Sequence, residues 1–343
     1  MIQIVRVEQA VGQALAHDIT EIRPGEFKGP AFKKGYVVKQ NDINKLIKLG
    51  KNHLYIIKGE TDLLHEDEAA EALATALCGD GVYWKDQPRE GKICLLAERE
   101  GLFKVNVDAL NRFNEFGEVM CATKHTYSVV KKDDQVGATR AIPLLIGRSM
   151  IDDAVRTAKD CGGILTTLPM RSVKAGVLIT GNEVYDGHIE DKFESIIRKK
   201  VEALNGTIMD VVFLPDDDER IAEAAHKLIE HGADILITTG GMSVDPDDRT
   251  RFGLQKAGAE GLLYGAAVLP GAMFMIAHLK NVPVLGIPAC GLFAAATVFD
   301  LIYPRVLAGE TITRKDIARL GHGGMCLKCK ICNFPNCSFG KSN

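Results

Sequence analysis

Val177-Leu178-Ile179-Thr180-Gly181-Asn182-Glu183 and Asp234-Ile235-Leu236-Ile237-Thr238-Thr239-Gly240-Gly241-Met242-Ser243 frame the stretch from Gly176 to Asp248. Each is a short apolar run, rich in β-branched residues, that stops at a glycine. Such runs read as parallel strands buried on both faces and ending at a ligand-binding loop. Two helical stretches and a further strand lie between them, so the unit reads β-α-β-α-β. An open sheet wound this way binds ligands beyond the carboxyl ends of its strands. Both polar turns fall at such ends, and a small anionic ligand is the first expectation.

The α/β unit extends over 174–307. Its first helix is expected from Ile189 to Leu204, where Ile189, Phe193, Ile196, Ile197, Val201 and Leu204 recur at helical spacing. Val211 to Leu214 reads as a strand running into Pro215-Asp216-Asp217-Asp218-Glu219, with Asp216 to Glu219 read as a helix cap rather than a site. Apolar stretches at 262–269 and 273–279 precede a strand from Val282 to Ile287, the turn Pro288-Ala289-Cys290-Gly291 and a long apolar helix to Leu307.

Upstream, Ile2 to Val7 alternates like a strand, and Glu8 to Ala16 reads as one helix. Asn41-Asp42 caps a helix from Ile43 to Leu49 that stops at Gly50, and His53 to Ile57 returns to strand. A helix over 64–78 starts with Glu66, Asp67 and Glu68, which suits the macrodipole. Residues 92–146 read as β-rich, and Ser149 as the cap of a helix to Lys159. The predicted organisation is an N-terminal α+β region (1–60), a β-rich middle (61–170), the α/β domain (171–310) and a cysteine-rich tail (311–343).

The chain has 343 residues, ordinary globular composition (46% hydrophobic, 25% charged) and a net charge of -3. That charge gives no general attraction to nucleic acid or anionic lipid, so neither is an expected partner. No apolar run approaches a membrane span, and the first residues lack a signal-peptide core. Nine cysteines without an export signal point to the cytoplasm, where clustered thiols suggest metal rather than disulfides.

Thr238-Thr239-Gly240-Gly241-Met242-Ser243 has the chemistry to wrap a phosphate: close backbone approach at glycine, donating hydroxyls, and free N–H groups if a helix follows. A plain strand-to-helix loop has the same residues. Asp245, Asp247 and Asp248 read either as helix N-terminal charge or as a Mg²⁺ site or reader of an amino-rich heterocycle edge. Cys290 is either a small buried hydrophobe or a thiolate favoured at a helix N-terminus facing the ligand.

These turns carry a family resemblance. Thr180-Gly181-Asn182-Glu183, Pro215-Asp216-Asp217 and Thr239-Gly240-Gly241-Met242-Ser243-Val244 with Asp248, followed by Leu269-Pro270-Gly271 and Leu285-Gly286-Ile287-Pro288, resemble the molybdopterin-binding domain of molybdenum-cofactor biosynthesis. Two enzymes share it, molybdopterin molybdotransferase (the insertase) and molybdopterin adenylyltransferase. The segment Val7 to Ala16 resembles the opening helix of the insertase. The resemblance implies a three-layer α/β domain with a mostly parallel sheet, holding the pterin dithiolene and its phosphate over the strand ends. It implies roles for Gly181, Asn182, Thr239, Gly240, Gly241, Ser243, Pro270, Gly271 and Cys290 in binding, and for Glu183 and Asp248 in catalysis, with Mg²⁺. Molybdate insertion into adenylylated molybdopterin is the implied reaction, and a symmetric homo-oligomer the default assembly.

Several positions depart from the insertase pattern. Gly29-Pro30-Ala31-Phe32-Lys33-Lys34-Gly35-Tyr36 replaces an acidic Ser-Ala-Met-Asp-Gly-Tyr-Ala segment, Asn182 replaces Asp, Ala272 replaces Lys and Cys290 replaces Asn. Losing a lysine and an asparagine removes groups that hold an anion. The rival expectation is therefore a non-catalytic carrier or sensor that delivers cofactor to a molybdoenzyme. A third is an unrelated nucleotide-binding α/β protein that shares only the turns.

The tail adds Cys326-x2-Cys329-x2-Cys332-x4-Cys337. Four thiols in a segment too polar for its own core point to ligation of an iron–sulfur cluster or Zn²⁺. Lys328 and Lys330 would offset the thiolates, or form a solvated face.

Overall fold

The computed structural model describes residues 2–57, 62–243 and 245–341. Val244, one residue of the glycine-turn motif, and 58–61, which span the predicted first boundary, lie outside the described residues. The chain forms two compact units. One comprises 1–98, 106–124 and 133–166, and the other 99–105, 125–132 and 167–343.

In the first unit, Ile2–Arg6 pairs antiparallel with His53–Ile57, and Ile19–Arg23 with Phe27–Phe32. A four-stranded sheet takes the order Val82–Tyr83, Lys92–Ala97, Gln135–Ala141, Val119–Thr123. The helix Glu66–Leu77 is alanine-rich, with a buried face of Ala69, Ala70, Leu73, Ala74 and Leu77. His65 caps it, its ring accepting from the Asp67 N–H while its backbone N–H donates to Glu68. The expected start at 64 is corrected, because Leu63–His65 pairs as a strand with Leu145–Gly147.

Two further expectations for this unit fail, and one gains an element. The helix over 8–16 is a single 3-10 turn, Val7–Gln9, because Gly12 takes φ 80 and the chain then pairs Ala14 with Val37. The stretch read as β-rich also contains the helix Val107–Asn114, capped by Asn106 and buried through Ala109 and Phe113. Ser149 does not cap the helix Arg148–Lys159. Gly147 holds that position without a side-chain bond.

The second unit is built on six strands in the order Thr207–Leu214, Lys174–Thr180, Ile235–Thr239, Val282–Ile287, Met275–Leu279, Glu260–Tyr264. The first four are parallel and the last two antiparallel. Alternating residues serve opposite faces. Ala175, Val177, Ile179, Ile235, Ile237, Leu285 and Ile287 pack under the helices Phe193–Glu202 and Val298–Leu307. Leu178, Leu236 and Val284 pack with Ile221, Ala225 and Leu228 of Asp218–Glu230 and Leu254 of Thr250–Lys256. This is the expected three-layer α/β arrangement. The first long helix begins at Phe193 rather than Ile189, and a one-turn helix, Asn182–Tyr185, precedes it directly after the strand Lys174–Thr180.

The connection from Lys174–Thr180 runs to an outer strand, and the return reaches Ile235–Thr239 on its other side. The loops leaving these two strands therefore diverge to opposite faces. That opens a crevice at their carboxyl ends, where open α/β sheets bind ligands. No helix among the described residues is long and apolar enough to cross a membrane.

Candidate functional site

The crevice is a cavity of about 1160 Å³ lying wholly within the second unit. Its floor is Ile179 and Thr180 with Gly240, Gly241, Met242, Ser243 and Asp248 of the glycine turn. Glu183 enters from the loop after Thr180, and Leu269, Pro270, Gly271, Ala272 and Met273 form the facing rim. Cys290 and the chain to Ala296 make one side, and much of the stretch from Met325 to Phe339 closes another.

The glycine turn owes its shape to close packing. A Cβ on Gly240, at φ 85, would stand 1.9 Å from the Thr180 carbonyl oxygen. One on Gly241, at φ 51, would meet the Thr250 hydroxyl at 2.5 Å and Asp216 Oδ1 at 3.0 Å. Two strand ends thereby touch with no side chain between them. The Thr180 and Thr250 hydroxyls are 2.7 Å apart, and Thr250 Oγ1 donates to the Gly240 carbonyl at 3.0 Å. The first N–H of the following helix is taken up by the turn itself, Thr250 donating to the Gly241 carbonyl at 3.1 Å.

In the sequence Asp216 reads as part of a helix cap rather than as a site. Asp217, not Asp216, caps the helix Asp218–Glu230, its carboxylate accepting from the Arg220 N–H at 2.8 Å. Asp216 packs instead against Gly241, beneath the crevice floor. Its N–H donates to Asn182 Oδ1, and its Oδ2 accepts from the Asn182 N–H, both at 3.1 Å. Its other oxygen is buried beside Gly241 without a partner. Burial pushes the Asp216 carboxyl above its ordinary range, and the charges of Glu183, Asp248 and Asp247 add to the rise against the Asn182 N–H. Asn182 thus locks the two loops together, its backbone N–H donating and its side-chain oxygen accepting. An uncharged asparagine does this without adding a further negative charge beside Asp216, which an ionised aspartate would bring.

Asp248 is half-buried in a tight turn of its own, its carboxylate accepting from the Asp245 N–H at 2.8 Å. Arg249 is drawn away from the cavity into an ion pair with Asp218. Of the expected site residues, Glu183, Gly240, Gly241, Ser243, Asp248, Pro270, Gly271 and Cys290 line one cavity. Gly181, Asn182 and Thr239 do not line it. Thr239 is fully buried, and Thr180 takes the lining position.

Cys290 lies in the 3-10 turn Ala289–Leu292 rather than at an α-helix N-terminus. Burial pushes its thiol up, although the backbone N–H groups of Cys290 and Gly271 oppose that. It is a half-buried free cysteine lining the cavity, and its burial disfavours the thiolate.

Residues 176–308 match the family model described as the probable molybdopterin binding domain. That segment of the chain is similar to a molybdopterin-binding domain. Residues 4–58 match a domain of unknown function. The molybdopterin molybdenumtransferase of Haemophilus influenzae is 30% identical over 151 residues, covering 42% of this chain and 37% of that one. That of Synechococcus elongatus is 25% identical over 161 residues, covering 44% of this chain and 40% of that one. The chain thus spans about two-fifths of the length of these relatives. The molybdopterin biosynthesis enzyme MoaB from Thermus thermophilus aligns at 16% identity and TM-score 0.35, covering 41% of this chain and 99% of that one.

Within the second unit the tail is part of the cavity wall. Cys326, Cys329, Cys332 and Cys337 all line it, and Cys326 and Cys337 also pack on the core beneath. Among the described residues no three His, Cys, Asp or Glu side chains are gathered as a metal site. The geometry therefore supports neither the expected tail metal nor a preformed Mg²⁺ site.

Proposed function

We propose that this chain binds molybdopterin, or its adenylylated form, in the crevice and acts in molybdenum-cofactor biosynthesis as an insertase-like enzyme. The observation that carries the reading is the carboxylate set Glu183, Asp216 and Asp248 around the glycine turn at the topological switch point, inside the segment that matches the binding domain. Gly240, Gly241 and Ser243 lie where a terminal phosphate would approach the backbone, with Pro270 and Gly271 opposite.

Mg²⁺ fits the donor set as a shared ion. It binds through one or two carboxylates plus substrate phosphate oxygens, so a complete protein cage is not required. Asp248 and Asp216 would hold it. The ion would neutralise phosphate charge during molybdate insertion, and the unpartnered Asp216 oxygen is the group that gains most from it. The tail thiols would hold an iron–sulfur cluster or Zn²⁺, supported by their spacing alone. We place the protein in the cytoplasm as a symmetric homo-oligomer.

The rival reading is a carrier that passes cofactor to a molybdoenzyme. Ala272 at the rim and the tail lying across the cavity favour it. Complementation of an insertase-deficient strain separates the two. Growth on nitrate as electron acceptor supports the enzyme and excludes a pure carrier. Absence of oxidised pterin fluorescence from the denatured, iodine-treated protein, purified anaerobically, would overturn both.

A further inference from the structure

The charged side chains that line the cavity, among the described residues, are Glu183, Asp248, Lys328 and Lys330. Both acids belong to the loops at the strand ends. Both bases come from the C-terminal tail. The rim opposite the glycine turn contributes only uncharged groups from Leu269 to Met273. A dianionic phosphate brought to the strand ends thus meets two carboxylates and no cation unless the tail supplies it.

The tail is fastened where this requires. The Leu269 N–H donates to the Gly324 carbonyl and the Cys326 N–H to the Leu269 carbonyl, both at 2.8 Å, so Met325 bridges in parallel to the rim residue Leu269. At the far end the Gly340 N–H donates to the Gly323 carbonyl at 2.9 Å, closing the segment into a loop. Phe339 is buried in the core, with the Phe334 ring edge-on at 6.1 Å. Between these anchors Lys328 takes the left-handed conformation at φ 52, which side-chain-bearing residues seldom adopt. Neither lysine has an ion-pair or hydrogen-bond partner among the described residues, and both are exposed.

We propose that Lys328 and Lys330 are the anion-binding residues of the cavity, so that the cysteine loop supplies from the C-terminus the positive charge that the domain's own turns lack. The assignment rests on the reading that a phosphorylated pterin occupies the cavity. Each ammonium acts as a flexible point charge with three donors, suited to a terminal phosphate rather than to a planar ring edge. The loop's role then includes selecting the phosphorylated ligand over its dephosphorylated form.

The test is a fluorescence titration of the full-length protein with an oxidised pterin in phosphorylated and dephosphorylated forms. It compares wild type, Lys328→Gln/Lys330→Gln and Lys328→Arg/Lys330→Arg, with thermal melts confirming folding. Wild type is expected to favour the phosphorylated form about tenfold or more. The glutamine pair should lose at least about tenfold on that form and under about twofold on the other, with a shallower salt dependence, and the arginine pair should restore most of the affinity. Unchanged affinity for the phosphorylated form, or equal loss on both, overturns the assignment while leaving pterin binding intact. Binding of neither form by wild type overturns the pterin reading and the assignment with it.

Discussion

Asp216 and Asp217 are neighbours of the same type with opposite tasks. The chain direction decides which is which: Asp217 meets the first free N–H groups of its helix, and Asp216 is left over the strand end beside Asn182 and Gly241. The folded-state pKa of Asp216 lies above its unfolded value, so its contribution to stability is full below the ordinary value of 3.8 and fades as pH rises through the folded pKa. Asp216→Asn removes that dependence. Its melting temperature relative to wild type is expected to climb as pH rises through that window and then level off. Parallel melting curves at every pH would refute the burial of this carboxyl. Gly240→Ala places a methyl against the Thr180 carbonyl at a positive φ, and a loss of about 3 kcal/mol or more is expected in urea denaturation.

At the scale of elements, the helix Val298–Leu307 shows how an apolar segment carries one charge inside. Arg305 is 4% exposed, with Nε on Glu310 at 2.7 Å, Nη2 on Asp316 at 3.0 Å and its guanidinium 4.1 Å from the Tyr127 ring. Burial opposes ionisation of Asp316, but bonds from Thr313 and Arg305 outweigh it and hold the carboxyl at about 2. That group stabilises the fold above 3.8 and loses its contribution as pH falls toward about 2. Arg305→Met takes the guanidinium from both acids, leaving Glu310 to Lys104 and Asp316 to Thr313, and a cost of about 3 kcal/mol is expected. The acid-unfolding midpoint should move to higher pH. An unchanged acid limb, followed by circular dichroism, would refute the coupling. On the same helix, Phe299 stacks on Tyr303 at 4.9 Å in the fully buried layer, and Phe299→Ala is expected to cost about 3–5 kcal/mol by equilibrium unfolding. Elements with strong local signals were legible in the sequence, such as the strands at 177–180 and 235–239. The helix expected at 8–16 was not formed, because pairing of Ala14 with Val37 outweighed a weak helical period.

For the molecule as a whole, residues 99–105 and 125–132 belong to the second unit although the chain of the first surrounds them in sequence. Gly101–Val105 pairs with Ser128–Val130, Lys104 pairs with Glu310 at 2.5 Å, and Tyr127 covers Arg305. A fragment beginning at residue 170 lacks all three. It is expected to unfold at lower urea than the same unit in the full chain, and equal midpoints would show that these segments contribute nothing.

The sequence by itself determined the parallel strands, their glycine endings and the family of the binding domain, because buried strands and tight turns each restrict residue type locally. It also named most of the cavity's loops. Only the tertiary structure decided that Asp216 lies beside Gly241 while Thr239 is fully buried, since both outcomes depend on which loop packs against which. The same holds for the tail. Its spacing spoke of metal, but its place beside Leu269, and so the arrival of Lys328 and Lys330 at the cavity, follows from backbone pairing between segments more than fifty residues apart.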